Sequence, residues 1–129
     1  MGMEMKMLLW SIVLGLVQVA LAATLVTGQR GLAWGAGARD GEPAPVTPVA
    51  ARLQRAAANF LETFPLFAAA VLLLHATGRF DANTALAAQM YFWARVLYVP
   101  AYAFGVPYLR TVVWAVAITG IVLLLRPLF

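Results

Sequence analysis

A charge-free apolar stretch near the start of the chain limits what the protein can fold into. Between Met7 and Thr27 no residue is charged, and the polar side chains are those of Ser11, Gln18, Thr24 and Thr27. As a helix this segment is about 31 Å long, which matches the roughly 30 Å hydrocarbon core of a bilayer. A helix that is apolar on every side belongs in a large core or in a membrane. The segment therefore predicts a membrane-spanning helix.

The composition supports a membrane protein and excludes several other classes. Of the 129 residues, 64% are hydrophobic and 11% are charged, whereas soluble domains have about 45–50% apolar and about 25% charged residues. A soluble enzyme and a disordered chain are therefore excluded. There is no cysteine and only one histidine, His75, so we expect no disulfide, no cysteine nucleophile and no metal site. The net charge of +4 is scattered along the chain, which does not indicate nucleic-acid binding.

Hydropathy divides the chain into four segments that could each cross a bilayer as a helix. They are about Met7–Thr27, Val49–Thr77, Asn83–Phe104 and Leu109–Leu125. The stretch Gly28–Pro48 is rich in glycine and proline and is predicted to be a loop. The later linkers are short, so consecutive helices should run antiparallel. We expect one domain over residues 1–129, an all-α integral membrane protein with an antiparallel bundle of four transmembrane helices.

The first segment could instead be a cleaved signal peptide. Lys6 precedes it, and Ala20-Leu21-Ala22 resembles a cleavage site. However, its apolar stretch is longer than the usual core of a signal peptide, and three more apolar segments follow it. These features favour a retained helix.

The distribution of basic residues predicts the orientation in the membrane. Lys6, Arg79 and Arg126 lie on one side of the four segments, and five arginines lie on the side of the first and third loops. Those five are Arg30, Arg39, Arg52, Arg55 and Arg110. Because cytoplasmic loops carry the excess of basic residues, we expect the first and third loops in the cytoplasm. Both termini would then lie in the periplasm, with the protein in the cell inner membrane.

Two of the apolar segments carry a stripe of polar residues along one helical face. The stripes are Arg52, Arg55, Asn59 and Glu62 in the second segment, and Tyr91, Arg95, Tyr98 and Tyr102 in the third. A charge in mid-membrane costs at least about 2.5–3.5 kcal/mol, so these faces should avoid lipid. One explanation is a structural clamp between Glu62 and Arg95. The surplus of arginines beyond that pair instead indicates an anionic ligand.

The residues in and around these stripes resemble a known family, the membrane-associated proteins in eicosanoid and glutathione metabolism. Arg55-Ala-Ala-Ala-Asn59-Phe-Leu-Glu62-Thr-Phe-Pro65 is similar to the family's second-helix signature, R-A-x-x-N-x-x-E-x-x-P. Ala94-Arg95-Val-Leu-Tyr98-Val-Pro-Ala-Tyr102 and Leu109-Arg110-Thr111 are similar to its third and fourth helices. The resemblance covers essentially the whole chain. It implies a homotrimer that binds glutathione between neighbouring subunits, near the cytoplasmic face.

The resemblance also implies a role for individual residues. Arg110 would stabilise the glutathione thiolate, and Tyr102 would assist as a hydrogen-bond donor. Arg30 would reach the ligand from the adjacent subunit. The implied glutathione-binding residues are Arg30, Arg55, Asn59, Glu62, Arg95 and Tyr98.

These roles predict a glutathione transferase or peroxidase that acts on lipophilic electrophiles from the lipid bilayer. An alternative is a non-catalytic member of the same family that binds lipid or glutathione, or acts as a scaffold. A small multidrug exporter is disfavoured, because such exporters need a carboxylate in the first span. The first span here has no carboxylate and holds only Gln18. The carboxylate of Glu62, in the second span, is close in sequence to arginines that would repel a cationic drug.

Overall fold

A computed structural model describes all residues from 1 to 129, and every regular element in it is helical. Four helices are long and one is short. They are α1 (Met3–Arg30), α2 (Leu32–Ala36), α3 (Pro48–Thr77), α4 (Ala82–Ala103) and α5 (Leu109–Leu125), followed by a 3-10 turn (Arg126–Leu128). Helix α1 extends beyond its apolar segment at both ends, and α5 has the bounds expected from hydropathy.

The connection between α1 and α3 differs from the sequence prediction. The sequence predicts a loop over the whole of Gly28–Pro48, but α1 continues to Arg30 and the short helix α2 follows. The α2 residues include leucine and alanine, which are good helix formers. Backbone hydrogen bonds from Gly35 to Gly31 and from Gly37 to Ala33 close its turns. The glycine and proline content therefore correctly predicts the irregular residues after α2, but it does not predict α2 itself.

The rest of this connection is held to the end of α1 by side-chain hydrogen bonds. The Gln29 side chain accepts a hydrogen bond from the Thr47 backbone N–H at 2.8 Å and donates one to the Thr47 hydroxyl at 3.0 Å. Arg30 Nε donates to the Ala44 carbonyl oxygen at 2.7 Å. Thr47 in turn caps α3, and Pro48 occupies the first turn, where its missing N–H costs nothing. The C-terminal end of α1 and the N-terminal end of α3 therefore lie at the same end of the molecule.

At the opposite end, α1 is joined to α4 through a buried carboxylate. Asp81 and Thr84 form a capping box at the start of α4. The Thr84 hydroxyl donates to Glu4 Oε1 at 2.8 Å, and Glu4 is buried. Gly78 ends α3 in the left-handed conformation, with φ of 66°. Helices α3 and α4 are thus linked by a tight turn, and α1 and α4 begin at the same level.

The four long helices pack on one another around a core of alanine, aliphatic and aromatic residues. Tyr91 stacks on Phe67 with 4.1 Å between the ring centroids, and its hydroxyl is 3.0 Å from the Thr63 hydroxyl. Helices α4 and α5 approach closely at Gly120. A Cβ atom on Gly120 would lie 2.8 Å from the Ala87 carbonyl oxygen and 3.1 Å from the Tyr91 nitrogen. The backbone of α4 cannot retreat without disturbing its own hydrogen bonds.

This contact predicts a large difference between two identical substitutions. Gly120→Ala should destabilise the fold by about 1–3 kcal/mol, because the added methyl group overpacks the contact between α4 and α5. Gly28→Ala, also in a helix, is the matched control, since nothing lies within 4 Å of its Cβ position. Thermal unfolding in detergent should show a lower midpoint for Gly120→Ala alone. Equal midpoints for the two variants would contradict the close approach.

Three parts of the chain are long and apolar enough to cross a membrane: α1, α3 and Leu109–Leu128. Helix α4 is not among them, because Gln89, Arg95 and three tyrosines lower its hydropathy. Within α4, Tyr91, Arg95 and Tyr98 are all buried. The polarity of α4 is therefore turned mainly toward the other helices, whereas many large apolar side chains of α1 are exposed on the outer surface.

Candidate functional site

A cleft lies at the end of the molecule where α3 begins, α4 ends and α5 begins. The turn between α4 and α5 contains Gly105, whose φ of 64° is in the left-handed region. A Cβ atom at this position would lie 3.0 Å from Cζ of Arg52, so glycine lets the guanidinium approach the turn. Arg52 Nη1 donates to the Ala103 carbonyl oxygen at 3.4 Å. The N-terminal part of α3 is thereby held against the end of α4.

The cleft has a volume of about 450 Å³ and a cationic lining. Its residues are Arg52, Arg55, Tyr102, Gly105, Val106, Pro107, Tyr108, Arg110 and Thr111. Three of them are arginines and none is an aspartate or a glutamate. Because arginine stays charged at any ordinary pH, the cleft presents three fixed positive charges. Its volume falls in the range of small-molecule sites.

Tyr102 lies between two of these arginines. Arg55 Nε donates a hydrogen bond to the Tyr102 hydroxyl oxygen at 3.0 Å, and its Cζ is 5.7 Å from the centroid of the Tyr102 ring. Cζ of Arg110 is 4.9 Å from the same centroid. The ring therefore holds both guanidinium groups through cation–π contacts. Its hydroxyl oxygen accepts from Arg55, which leaves the hydroxyl hydrogen free to be donated to a ligand.

A smaller recess of about 180 Å³ continues the cleft between α3, α4 and α5. It is lined by Asn59, Tyr98, Arg110, Thr111 and Trp114. Arg110 and Thr111 line both spaces, so the two form one continuous site. This site brings together five residues that the sequence predicts: Arg55, Asn59, Tyr98, Tyr102 and Arg110.

Arg95 lies behind this site rather than in its lining. The residue is 1% exposed, and its Nη1 donates to Asn59 Oδ1 at 2.8 Å. Its Cζ lies 4.1 Å from the centroid of the Tyr98 ring. Its Nε and Nη2 atoms have no hydrogen-bond partner. The clamp between Glu62 and Arg95 is therefore not formed within the chain; Arg95 instead holds Asn59 and Tyr98 in place.

Glu62 and Arg30 are not in the site of this chain. Glu62 is exposed on the outer surface of α3, midway along the helix. Arg30 lines a separate groove of about 560 Å³ formed by α1, α2 and α3, together with Arg39, Gln54 and the alanines at 57 and 58. This groove and the cationic cleft lie on different faces of α3. The structure thus separates these two residues from the five that it brings together.

Sequence reasoning missed several residues that line the site. Arg52 is in the polar stripe of α3 but is absent from the implied glutathione-binding set, although it is one turn from Arg55. Tyr108 precedes α5 in the left-handed conformation, and Thr111 and Trp114 lie beside Arg110 in the first turns of that helix, one and four residues after it. The spacing of four residues between Arg110 and Trp114 places both on one side of α5 and is the signal that could have found Trp114.

The fold and the cleft together define a helical membrane protein with a cationic site at one end of its long helices. The chain belongs to the MAPEG family, whose family model matches residues 7–128. Among curated proteins, none matches this chain.

Proposed function

We propose that the protein binds glutathione in the cationic cleft and is a glutathione transferase or peroxidase for lipophilic electrophiles. The observation that carries this proposal is the cluster of Arg52, Arg55 and Arg110 in a cleft without a carboxylate, with Tyr102 in contact with Arg55 and Arg110. Glutathione carries two carboxylates and, when ionised, a thiolate. Arginine pairs with carboxylates through two parallel hydrogen bonds, which suits the peptide ends of this ligand. Membership of the MAPEG family supports the same ligand.

The exposed carboxylate of Glu62 supports an assembly in which a second copy covers it. A charged group facing lipid at mid-helix costs at least about 2.5–3.5 kcal/mol. In a homotrimer, Glu62 would be enclosed at the boundary between copies and would accept hydrogen bonds from the glutathione ammonium group. The groove that contains Arg30 lies on a different face of α3. A neighbouring copy would therefore present Arg30 to the site, as the family resemblance implies.

Helix α4 completes the proposed membrane domain as a fourth span. Its 22 residues make a helix about 33 Å long, enough to cross the hydrocarbon core. Three of its polar residues, Tyr91, Arg95 and Tyr98, are buried against other helices, so they need not meet lipid. Together with α1, α3 and α5 it would form an antiparallel four-helix bundle in the cell inner membrane.

The proposed chemistry requires no nucleophile from the protein. A free cysteine-type thiol has a pKa of about 8.5, so it is mostly protonated at neutral pH. A guanidinium beside the sulfur favours the thiolate, and a pKa lower by about two units corresponds to about 2.7 kcal/mol. Arg110 would supply this charge, and the free hydroxyl hydrogen of Tyr102 would be donated to the sulfur. The thiolate would then attack an electrophile that reaches the site from the bilayer.

Titration of the detergent-solubilised protein with glutathione tests the proposal directly. Calorimetry would measure the affinity, and ultraviolet difference absorbance would measure the bound thiolate. We expect saturable binding and a thiolate signal at neutral pH. Binding without thiolate would favour a non-catalytic glutathione-binding member of the family. No binding at all would contradict both, and would leave the lipid-binding and scaffold roles.

The arginine distribution predicts which end of the molecule faces the cytoplasm. Arg30, Arg39, Arg52, Arg55 and Arg110 all belong to the end that contains the cleft, so this end should be cytoplasmic and both termini periplasmic. The chain has no cysteine, so single cysteines can be introduced at exposed positions. Gly2→Cys should react with a membrane-impermeant thiol reagent in intact cells, and Ala38→Cys only after lysis. The reverse pattern would invert the topology.

A further inference from the structure

A pocket lies at the end of the molecule opposite the cationic cleft, where α4 begins and α5 ends. It has a volume of about 430 Å³ and is lined by residues of α4, of α5 and of the segments that flank them. Its inner wall includes Ala87 and Met90, which lie at the close approach of α4 to Gly120. None of its lining residues comes from α1, α2 or α3. The pocket is therefore separate from Glu62 and from the groove at Arg30, the two features proposed to meet a neighbouring copy.

Asp81 and Arg126 bring opposite charges to the rim of this pocket. Asp81 Oδ1 accepts a hydrogen bond from the Thr84 backbone N–H at 2.8 Å, and the Oδ2 atom of the same carboxylate bonds to nothing in the chain. Arg126 is exposed, and its guanidinium makes no hydrogen bond within the chain. No ion pair joins the two side chains. Each charge is therefore available to a ligand group of the opposite sign.

Contacts with the rest of the chain hold both sides of this rim in place. Asp81 forms a capping box with Thr84, so the carboxylate is fixed at the first turn of α4. On the other side, Arg79 Nη1 donates to the Pro127 carbonyl oxygen at 3.0 Å. Pro127 lines the pocket and directly follows Arg126. A ligand would therefore meet both charges on backbone that is already ordered, which lowers the cost of binding.

Below the rim the lining is apolar. Leu86 and Met90 lie about 8 and about 14 Å from the level of Asp81 along the axis of α4, and Leu123 lines the pocket from α5. Leu86 is 60% exposed and Leu123 is 37% exposed, so in a membrane both face the acyl chains of the lipid. The pocket thus joins a rim with both charges to an apolar wall. A phospholipid headgroup and its acyl chains have the same order of polarity.

We propose that this pocket binds a phospholipid whose headgroup carries a primary ammonium group, phosphatidylethanolamine. The ammonium group donates to the carboxylate of Asp81 and to the amide oxygen of Asn83, and the phosphate accepts from Arg126. An acyl chain lies along Leu86 and Leu123, where burying apolar surface is favourable. This lipid site goes beyond the glutathione function and does not depend on it.

The chemistry of the rim distinguishes this headgroup from the other common ones. Phosphatidylglycerol has the phosphate but no cation, so its negative charge would lie near the carboxylate of Asp81 without compensation. The quaternary ammonium of phosphatidylcholine has no N–H and cannot donate a hydrogen bond. The groove at Leu97, between the other ends of α4 and α5, has no charged residue in its lining and offers contact to acyl chains only. A preference among headgroups is therefore expected at the rim with Asp81 and Arg126 and not at the groove with Leu97.

Native mass spectrometry of the detergent-solubilised protein can measure this preference. The protein would be mixed with equal amounts of dioleoyl phosphatidylethanolamine, phosphatidylglycerol and phosphatidylcholine. We expect the wild type to retain phosphatidylethanolamine about tenfold more than phosphatidylglycerol, the size of effect that one charge-assisted hydrogen bond produces. Asp81→Asn should bind the two equally, and it keeps a good helix cap, so the fold is preserved. Asp40→Asn, the same change at an exposed position at the other end of the molecule, should keep the wild-type preference.

The second charge should give a different pattern in the same experiment. All three lipids carry a phosphate, so Arg126→Gln should weaken the binding of each by a similar factor and leave the preference for phosphatidylethanolamine in place. Lys6→Gln is the control, because Lys6 is an exposed cation near the same end of the chain and does not line the pocket. It should change neither the amount nor the kind of lipid retained.

Two leucines of α4 test the apolar wall independently of charge. Leu86 and Leu97 are 60% and 59% exposed, and only Leu86 lines this pocket. A ligand that binds the folded state raises the midpoint of thermal unfolding. Added phosphatidylethanolamine should raise the midpoint of the wild type and of Leu97→Trp more than phosphatidylglycerol does. In Leu86→Trp, where the indole fills the pocket, the two lipids should have the same effect.

The outcomes separate a specific site from the lipid that covers any apolar helix face. Equal retention of the three lipids by the wild type would show non-specific lipid contact only and would overturn the proposal. The same preference in Asp81→Asn as in Asp40→Asn would also overturn it, since the preference would then arise elsewhere. These measurements contain no glutathione, so their failure leaves the proposed function standing. A protein that binds no glutathione could equally retain phosphatidylethanolamine at this pocket.

Discussion

Arg55→Ala should weaken glutathione binding at least about thirtyfold. Removing one partner of a charged, partly dry pair typically costs about 2–5 kcal/mol, and about 1.4 kcal/mol corresponds to a tenfold change. Arg55 lines the cleft and donates to the Tyr102 hydroxyl, so its loss removes a cation and frees the ring that also contacts Arg110. Calorimetric titration of the detergent-solubilised protein would measure the change.

Arg126→Ala is the matched control for this prediction. Arg126 is exposed and lies at the other end of the molecule, so its removal changes the net charge by the same amount without altering the cleft. Glu62→Gln tests whether the site is shared between copies, because Glu62 is outside the cleft of its own chain. A loss of affinity comparable to that of Arg55→Ala would place Glu62 at a site shared between copies. If Arg55→Ala folds normally and binds glutathione as tightly as the wild type, the polar stripe of α3 has only a structural role.

Much of the helical architecture follows from the sequence, because apolar runs and breaking residues act locally. Helix α5 has the bounds that hydropathy predicts, and α3 and α4 each differ by one residue at their ends. The failure is α2, a five-residue helix in a stretch of glycines. A helix this short has little stability of its own. The Arg39 side chain donates two hydrogen bonds to the Gly35 carbonyl oxygen at its end, at 3.2 and 2.8 Å, and local composition does not reveal this contact.

The faces of the candidate site could be predicted from the sequence, but the pairing of those faces could not. Helical spacing places Asn59 and Glu62 on one side of α3. The contact with α4, however, is made by Asn59 and Thr63, which bond to Arg95 and Tyr91. Glu62, one residue before Thr63, is turned away from it by about 100° around the helix. Arg95 consequently pairs with an amide rather than with the nearby carboxylate.

Burial decides the role of Arg95 in a way that charge counting cannot. A count of charges in the two polar stripes gives a surplus of arginines beyond the pair of Glu62 and Arg95, and it indicates an anionic ligand for that surplus. In the structure only Arg52, Arg55 and Arg110 line the cleft, whereas Arg95 is buried among aromatic rings. The surplus is nevertheless real at the site. The three arginines that remain there lie near the start of α3 and of α5, at the end of the molecule where the cleft is open.

Arg110→Ala should raise the pKa of the bound glutathione thiol toward its ordinary value of about 8.5. Arg110 lines both the cleft and the recess, and its Cζ is 4.9 Å from the Tyr102 ring centroid. A cation beside the sulfur stabilises the thiolate and so lowers the pKa of the thiol; removing it has the opposite effect. A shift from about 6.5 to about 8.5 would lower the thiolate fraction at pH 7 roughly 25-fold. Transferase activity at neutral pH should fall in proportion.

The pH at which bound thiolate appears distinguishes this role from that of a membrane anchor. An arginine at the end of a span commonly anchors the helix at the headgroups, and its removal then affects expression or stability only. Arg110→Lys keeps a positive charge but loses the planar fork, so it should retain part of the lowered thiol pKa. Arg126→Ala removes an arginine from the other end of the chain and should leave the titration unchanged. Since affinity for glutathione rests mainly on the peptide carboxylates, Arg110→Ala should lose only about fourfold in affinity at pH 7, the factor that the change in thiol pKa itself requires. If bound thiolate appears at the same pH in Arg110→Ala as in the wild type, Arg110 has no catalytic role. The protein is then a glutathione-binding member of its family.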